Sequence, residues 1–177
     1  MLRQTQRGVA LFISLVLLLV LTIIGISSVQ TTSLEVRMTR NQYDATLAFQ
    51  AAESALRDAE AQLDAIVSTA GFTETGNAGL YIVSEVGEEE NWQGSNVWNG
   101  SNSLIAANAV DGVYEQPRYI IEHVASILRG TNAYQLDDPY AAGGSDRVEM
   151  FRITARGVGG SANARVLLQS TYGRILN

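Results

Sequence analysis

The sequence has no cysteine and no lysine, only two prolines, and a single histidine, His123. Without thiols there is no disulfide framework, thiol nucleophile or thiolate zinc site, and one imidazole cannot build a multi-histidine metal centre. Without an ε-amine, a Walker-type phosphate loop, a Schiff-base enzyme and a pyridoxal-phosphate enzyme are excluded. Positive charge is scarce: 12 basic residues, all arginine, face 18 acidic ones in 177 residues, for a net charge of -6. Those arginines are scattered along the chain, and an acidic protein without a basic stripe repels a phosphate backbone, so no nucleic-acid partner is expected.

The distribution of charge says more than its total. No charged side chain stands in the 27 residues from Gly8 to Leu34, and Val9 to Val29 is broken only by Ser14, Thr22, Gly25, Ser27 and Ser28. About 20 apolar residues in a helix span the roughly 30 Å of a bilayer core. Arg3 and Arg7 precede this segment and Glu35 follows it, so the positive-inside bias places the N-terminus in the cytoplasm and the bulk of the chain outside. A cleavable secretory signal, ending near Gly25, Ser27 and Ser28, would need a shorter apolar region than this one.

From Leu34 to Val67 there is no proline or glycine, and Ala, Leu, Glu, Gln and Arg dominate, so the helix is expected to continue. An apolar stripe runs through Met38, Ala45, Phe49, Ala52, Leu56, Ala59, Leu63 and Ile66, with three- and four-residue steps from Phe49 onward. Loop punctuation follows in Ser68 to Gly79, with Gly71, Gly76, Asn77 and Gly79. The remainder reads as β, with strands expected over Leu80 to Val86, Arg118 to Leu128, Val148 to Arg156 and Arg165 to Tyr172. The last two flank Gly157 to Ser161 as a hairpin, and the Phe49 to Ile66 stripe is the only long amphipathic cover for its apolar face. The expected fold class is α+β, a long N-terminal helix on a small antiparallel sheet. Its parts are residues 1–8, an apolar helix over 9–33, an amphipathic continuation over 34–67 and a β-rich head over 68–177.

The head carries a long connection, residues 87–112, that holds Glu88, Glu89 and Glu90 and both tryptophans, Trp92 and Trp98. These rings either anchor a partner or fold back onto the sheet as a local core. His123 lies in an apolar strand without a nucleophile-elbow pattern, so a structural role outranks a triad with a serine and Asp111, Asp137 or Asp138. Asp137, Asp138 and Asp146 bracket an oxygen-rich loop that is a weak calcium candidate; its spacing is not that of an EF-hand. No cofactor and no catalysis are expected.

The run Arg7-Gly8-Val9-Ala10-Leu11-Phe12-Ile13-Ser14-Leu15 resembles a type IV prepilin leader and mature start. The string Leu47-Ala48-Phe49-Gln50-Ala51-Ala52-Glu53-Ser54-Ala55-Leu56-Arg57 resembles the PilX-type minor pilins. That resemblance, over about a third of the chain, implies a pilin-like fold. It implies cleavage between Gly8 and Val9 by prepilin peptidase, methylation of Val9, and a place in the inner membrane before assembly and on the pilus afterwards. It implies a role in priming pilus assembly at or near the tip, with other minor pilins, the major pilin and a tip adhesin as partners. Pilins usually carry glutamate as the fifth mature residue, where it meets a neighbour's N-terminal amine; here that place holds Ile13. The alternatives are a ligand-binding tip subunit that acts through Trp92 and Trp98, and a type II secretion pseudopilin.

Overall fold

The computed structural model describes residues 7–128 and 147–176. The calcium candidates Asp137, Asp138 and Asp146 lie outside them. One helix, α1, runs Arg7–Ala65, and the chain divides into a unit ending at Tyr43 and a unit beginning at Asp44.

In the first unit every described side chain from Gly8 to Tyr43 is exposed. Six of its hydroxyls turn back on their own helix. Ser14 donates to the Leu11 carbonyl, Thr22 to Leu18, Ser28 to Ile24, Thr31 to Ser27, Thr32 to Ser28 and Thr39 to Glu35, at 2.7 to 3.1 Å. Inward bonding of this kind lets serine and threonine sit in an apolar helix without an unsatisfied hydroxyl.

The second unit is α+β and pilin-like. The C-terminal part of α1, from Asp44, covers a five-stranded sheet of β1 (Leu80–Ile82), β2 (Leu104–Ile105), β3 (Arg118–Leu128), β4 (Arg147–Val158) and β5 (Arg165–Ile175). The order is β1-β3-β4-β5, and β2 pairs β3 beside β1. The three long strands are antiparallel, as expected, but β1 runs parallel to β3, with Leu80 opposite Ile121 and Ile82 opposite His123. The sheet is therefore mixed. β1 ends at Ile82 rather than Val86, because the chain turns away at Glu85 to Glu88, where Gly87 has φ +101°.

The helix meets the sheet through its smallest residues. Ala48, Ala51, Ala52, Ala55, Ala59 and Leu63 are fully buried, and Ala55, Ala59 and Leu63 share one core with Phe151, Ile153 and Ala155 of β4 and Tyr119 and Ile121 of β3. The expected stripe is correct from Ala52 to Ile66 and wrong before it: Met38, Ala45 and Phe49 are exposed, Phe49 by 46%. The buried arc is centred on the alanines, and Phe49 lies beside it. A Cβ on Gly157 would stand 2.0 Å from the Ala48 carbonyl oxygen and 2.5 Å from the Ala52 nitrogen, so backbone approaches backbone where a large ring has no room.

Side chains fasten the part of the helix that begins at Asp44. The Asp44 carboxylate accepts from the Ser161 backbone N–H at 3.1 Å and from the Ser161 hydroxyl, and the hydroxyl above all holds the Asp44 pKa below the usual carboxylate range. Asn108 donates to Asp58, Tyr119 Oη to Gln62 at 2.7 Å and Tyr172 Oη to Asp64 at 2.8 Å. Arg174 caps the helix end by donating to the carbonyls of Leu63 and Ile66.

Candidate functional site

Two surfaces qualify: the apolar part of α1, and the face of the sheet turned away from the helix. The helix surface is the simpler one. Gly8 has open space around it, and Val9 and Ile13 are exposed by 59% and 52%. Ile13 adds a further apolar side chain to a helix long and apolar enough to cross a membrane.

The outer face of the sheet is built from alternate residues of the long strands. Register places Arg118 opposite Arg156, Ile120 opposite Thr154 and Glu122 opposite Arg152, with Leu167, Gln169 and Thr171 of β5 facing Arg156, Thr154 and Arg152. The connection 87–112 folds back onto this face. Trp98 is buried with Tyr81, Val97 and Ile120, and Trp92 packs half-buried against them. Trp98 Nε1 donates to the Trp92 carbonyl at 3.0 Å, and the Arg156 guanidinium lies 5.2 Å from the Trp98 ring centroid. The local-core alternative for the tryptophans therefore describes Trp98, while Trp92 keeps an exposed edge.

Charge is drawn into the same face. Glu122 is fully buried, and its carboxylate accepts from Arg152 Nε at 2.7 Å and from Asn91 Nδ2 at 2.9 Å. Arg152 also pairs with Glu90, so one guanidinium ties the sheet to the start of the loop. The hydrogen bond that Arg152 donates to Glu122 raises the Arg152 pKa above its ordinary value. Nothing in the period-2 pattern singled out Glu122 and Arg152; only the register brings them together.

His123 belongs to the core and to a clasp. Its ring lies 5.5 Å from Phe151 and 6.0 Å from Phe72, and Nε2 meets Glu149 Oε2 at 2.7 Å. Ser126 Oγ donates to the other Glu149 oxygen at 2.5 Å. The carboxylate thus stands between hydroxyl and imidazole, which is the wrong order for a base that must take the hydroxyl proton. Among the described residues no group of three or more His, Cys, Asp or Glu side chains could hold a metal.

The clasp has a consequence for acid stability. Ser126, then His123, holds the Glu149 pKa below the usual carboxylate range. A lowered folded-state pKa contributes stability above the unfolded value, near 4.3, and that contribution is lost as pH falls through the folded value. Glu149→Gln should therefore cost about 1 kcal/mol at pH 7 and less at pH 3, read by urea unfolding of the full chain in detergent at both pH values.

Family models match both parts of the chain, PilX N-terminal over residues 7–57 and type IV pilus assembly protein PilX C-term over residues 37–174. No curated protein and no solved structure matches. The second model alone covers 138 of the 177 residues, from the helix through β5. With an apolar helix leading into a helix-on-sheet head, the chain belongs to the type IV pilus assembly protein PilX family and is a minor pilin.

Proposed function

We propose that this minor pilin primes assembly of the type IV pilus and stays at or near its tip. It is cleaved between Gly8 and Val9 by prepilin peptidase and methylated at Val9. Until it is drawn into the fibre it sits in the inner membrane with its N-terminus in the cytoplasm. Its partners are other minor pilins, the major pilin and a tip adhesin, and it acts without catalysis.

The observation that carries this reading is Ile13 on a helix surface that is apolar all round. A subunit inside the fibre needs the carboxylate that answers its neighbour's amine, whereas a subunit at the end has no amine to meet, and an unpaired buried charge there is costly. The uncharged surface can exchange lipid for the helices of neighbouring pilins with little change in solvation. Reading the chain as a ligand-gripping tip protein needs both rings of the loop at the surface, and the burial of Trp98 weighs against it.

Deletion of the gene should cut the number of surface pili several-fold, counted by electron microscopy, and Ile13→Glu should place the subunit along the shaft, seen by immunogold labelling. Normal pilus numbers after deletion, with only attachment lost, would defeat the priming role.

A further inference from the structure

The two sides of the sheet are finished differently. Beyond β3 lie β1 and β2, three and two residues long, and β1 is closed off in turn by bridges from Thr73 to Tyr81 and from Asn77 to Leu80. Beyond β4 lies β5, eleven residues long, with nothing among the described residues paired to its far side. Its outward groups follow from the ladder. Gly159 N–H donates to the Ala164 carbonyl at 2.8 Å, so by antiparallel alternation Val166, Leu168, Ser170 and Tyr172 bond β4, while Leu167, Gln169, Thr171 and Gly173 turn their N–H and C=O outward. Those outward residues are the exposed ones of the strand.

This edge carries little of the usual protection: it has no proline and no bulge, and its one inward charge, Arg174, is engaged at the helix end. Apolar surface flanks it on both faces. On the outer face an open groove of about 360 Å³ is lined by Trp92, Thr154, Leu167 and Gln169. On the helix face Val166 and Leu168 are half-buried, one strand over from Gly157, which packs on Ala48 and Ala52; Phe49, next along that helix, is exposed.

Charge points to the occupant. The last 28 residues, 150–177, contain Arg152, Arg156, Arg165 and Arg174 and no acidic residue, in a chain whose net charge is -6. Arg152 is matched by Glu122 and Glu90, Arg156 by Glu115, and Arg174 by helix carbonyls, whereas among the described residues Arg165, exposed at the start of β5, reaches only the Ala162 carbonyl. A second copy would bring the same arginines to the same edge, so self-pairing gains no charge complement.

We propose that β5 is a docking edge that receives an extended, carboxylate-bearing segment of another subunit of the same pilus. The incoming strand would continue the sheet through its main chain, set one row of apolar side chains against Trp92 and Leu167, and answer Arg165 with an acid. The inference rests on the pilin reading, and the test separates the two.

A photoreactive benzophenone amino acid is placed at Leu167 of the full chain in piliated cells, and separately at Val20 in the apolar helix as a report of incorporation. The expected result is a Leu167 product with another pilus subunit, mapped by mass spectrometry to an extended segment with Asp or Glu. Thr171→Pro, which removes an outward N–H and no bond to β4, should lower that yield at least tenfold while the Val20 products persist. Arg165→Glu should lower it several-fold without any backbone change. Val20 products without a Leu167 product, a Leu167 product only with a second copy, or yields untouched by both substitutions would overturn the docking edge. Absence of products from Val20 as well would overturn the pilin reading with it.

Discussion

Gly157→Val should abolish the folded head, with a loss of more than about 4 kcal/mol, because the Cβ has nowhere to go. It would enter the Ala48 carbonyl and the Ala52 nitrogen at 2.0 and 2.5 Å, and both are helix backbone that no rotamer change can move aside. Ordinary overpacking costs about 1–3 kcal/mol because side chains yield; here the whole helix must lift off the alanine seam, uncovering Phe151, Ile153 and Leu63. Gly157→Ala should already show most of the effect. Gly173→Ala is the control: its Cβ would meet Met150 Sδ at 3.1 Å, a flexible neighbour, and should cost about 1 kcal/mol or less. Phe49→Ala should also be mild, about 1 kcal/mol or less, since nearly half of that ring is in solvent. Urea unfolding followed by circular dichroism would rank the three, and a mild Gly157→Ala would mean that the helix does not lie this close to the sheet.

That ranking marks where sequence reasoning stops. The three- and four-residue template finds an apolar arc but weights a phenylalanine above an alanine, so it passes through Phe49 where the contact takes the smallest side chains. The signal was present in two places, the run Ala48, Ala51, Ala52, Ala55, Ala59 and the glycines at 157 and 159, but linking them needs β4 to be laid on the helix. β3 was legible at both ends because eleven residues of β-branched and aromatic character stand between clear breaks. β2 was not, since two residues inside a Gly, Ser and Asn-rich stretch carry no period. The parallel direction of β1 was not legible either, because its three residues are placed by the bridges at Thr73 and Asn77 and by register with Ile121, not by any local pattern.

The outer face shows the same limit in its electrostatics. Glu122, a carboxylate within an apolar strand, is fully buried, since the connection 87–112 covers it with Asn91. A carboxylate in that position is tolerated only because Arg152 stands opposite it in register and reaches on to Glu90. The polar cluster thus holds the loop, and with it one wall of the groove beside β5.

Arg152→Ala should therefore destabilise the head by about 3–5 kcal/mol, the usual cost of leaving one partner of a buried ion pair behind. After the change Glu122 keeps, among the described residues, Asn91 as its one side-chain donor, and Glu90 loses its bond to Arg152. Adding Glu122→Gln to Arg152→Ala should recover part of the loss, because a neutral amide can stay buried with Asn91 where an unpaired charge cannot. Arg152→Lys should fall between, keeping the charge but not the fork that reaches two carboxylates. The readout is built in: Trp92 and Trp98 are the only tryptophans, and both lie in the tethered loop, so fluorescence reports on it alone. In Arg152→Ala the emission should shift to the red at lower urea than the loss of circular dichroism, as the loop leaves the sheet before the sheet opens. Coincident transitions with a loss below about 1 kcal/mol would mean that the ion pair is solvated and that the loop is held by its tryptophans instead.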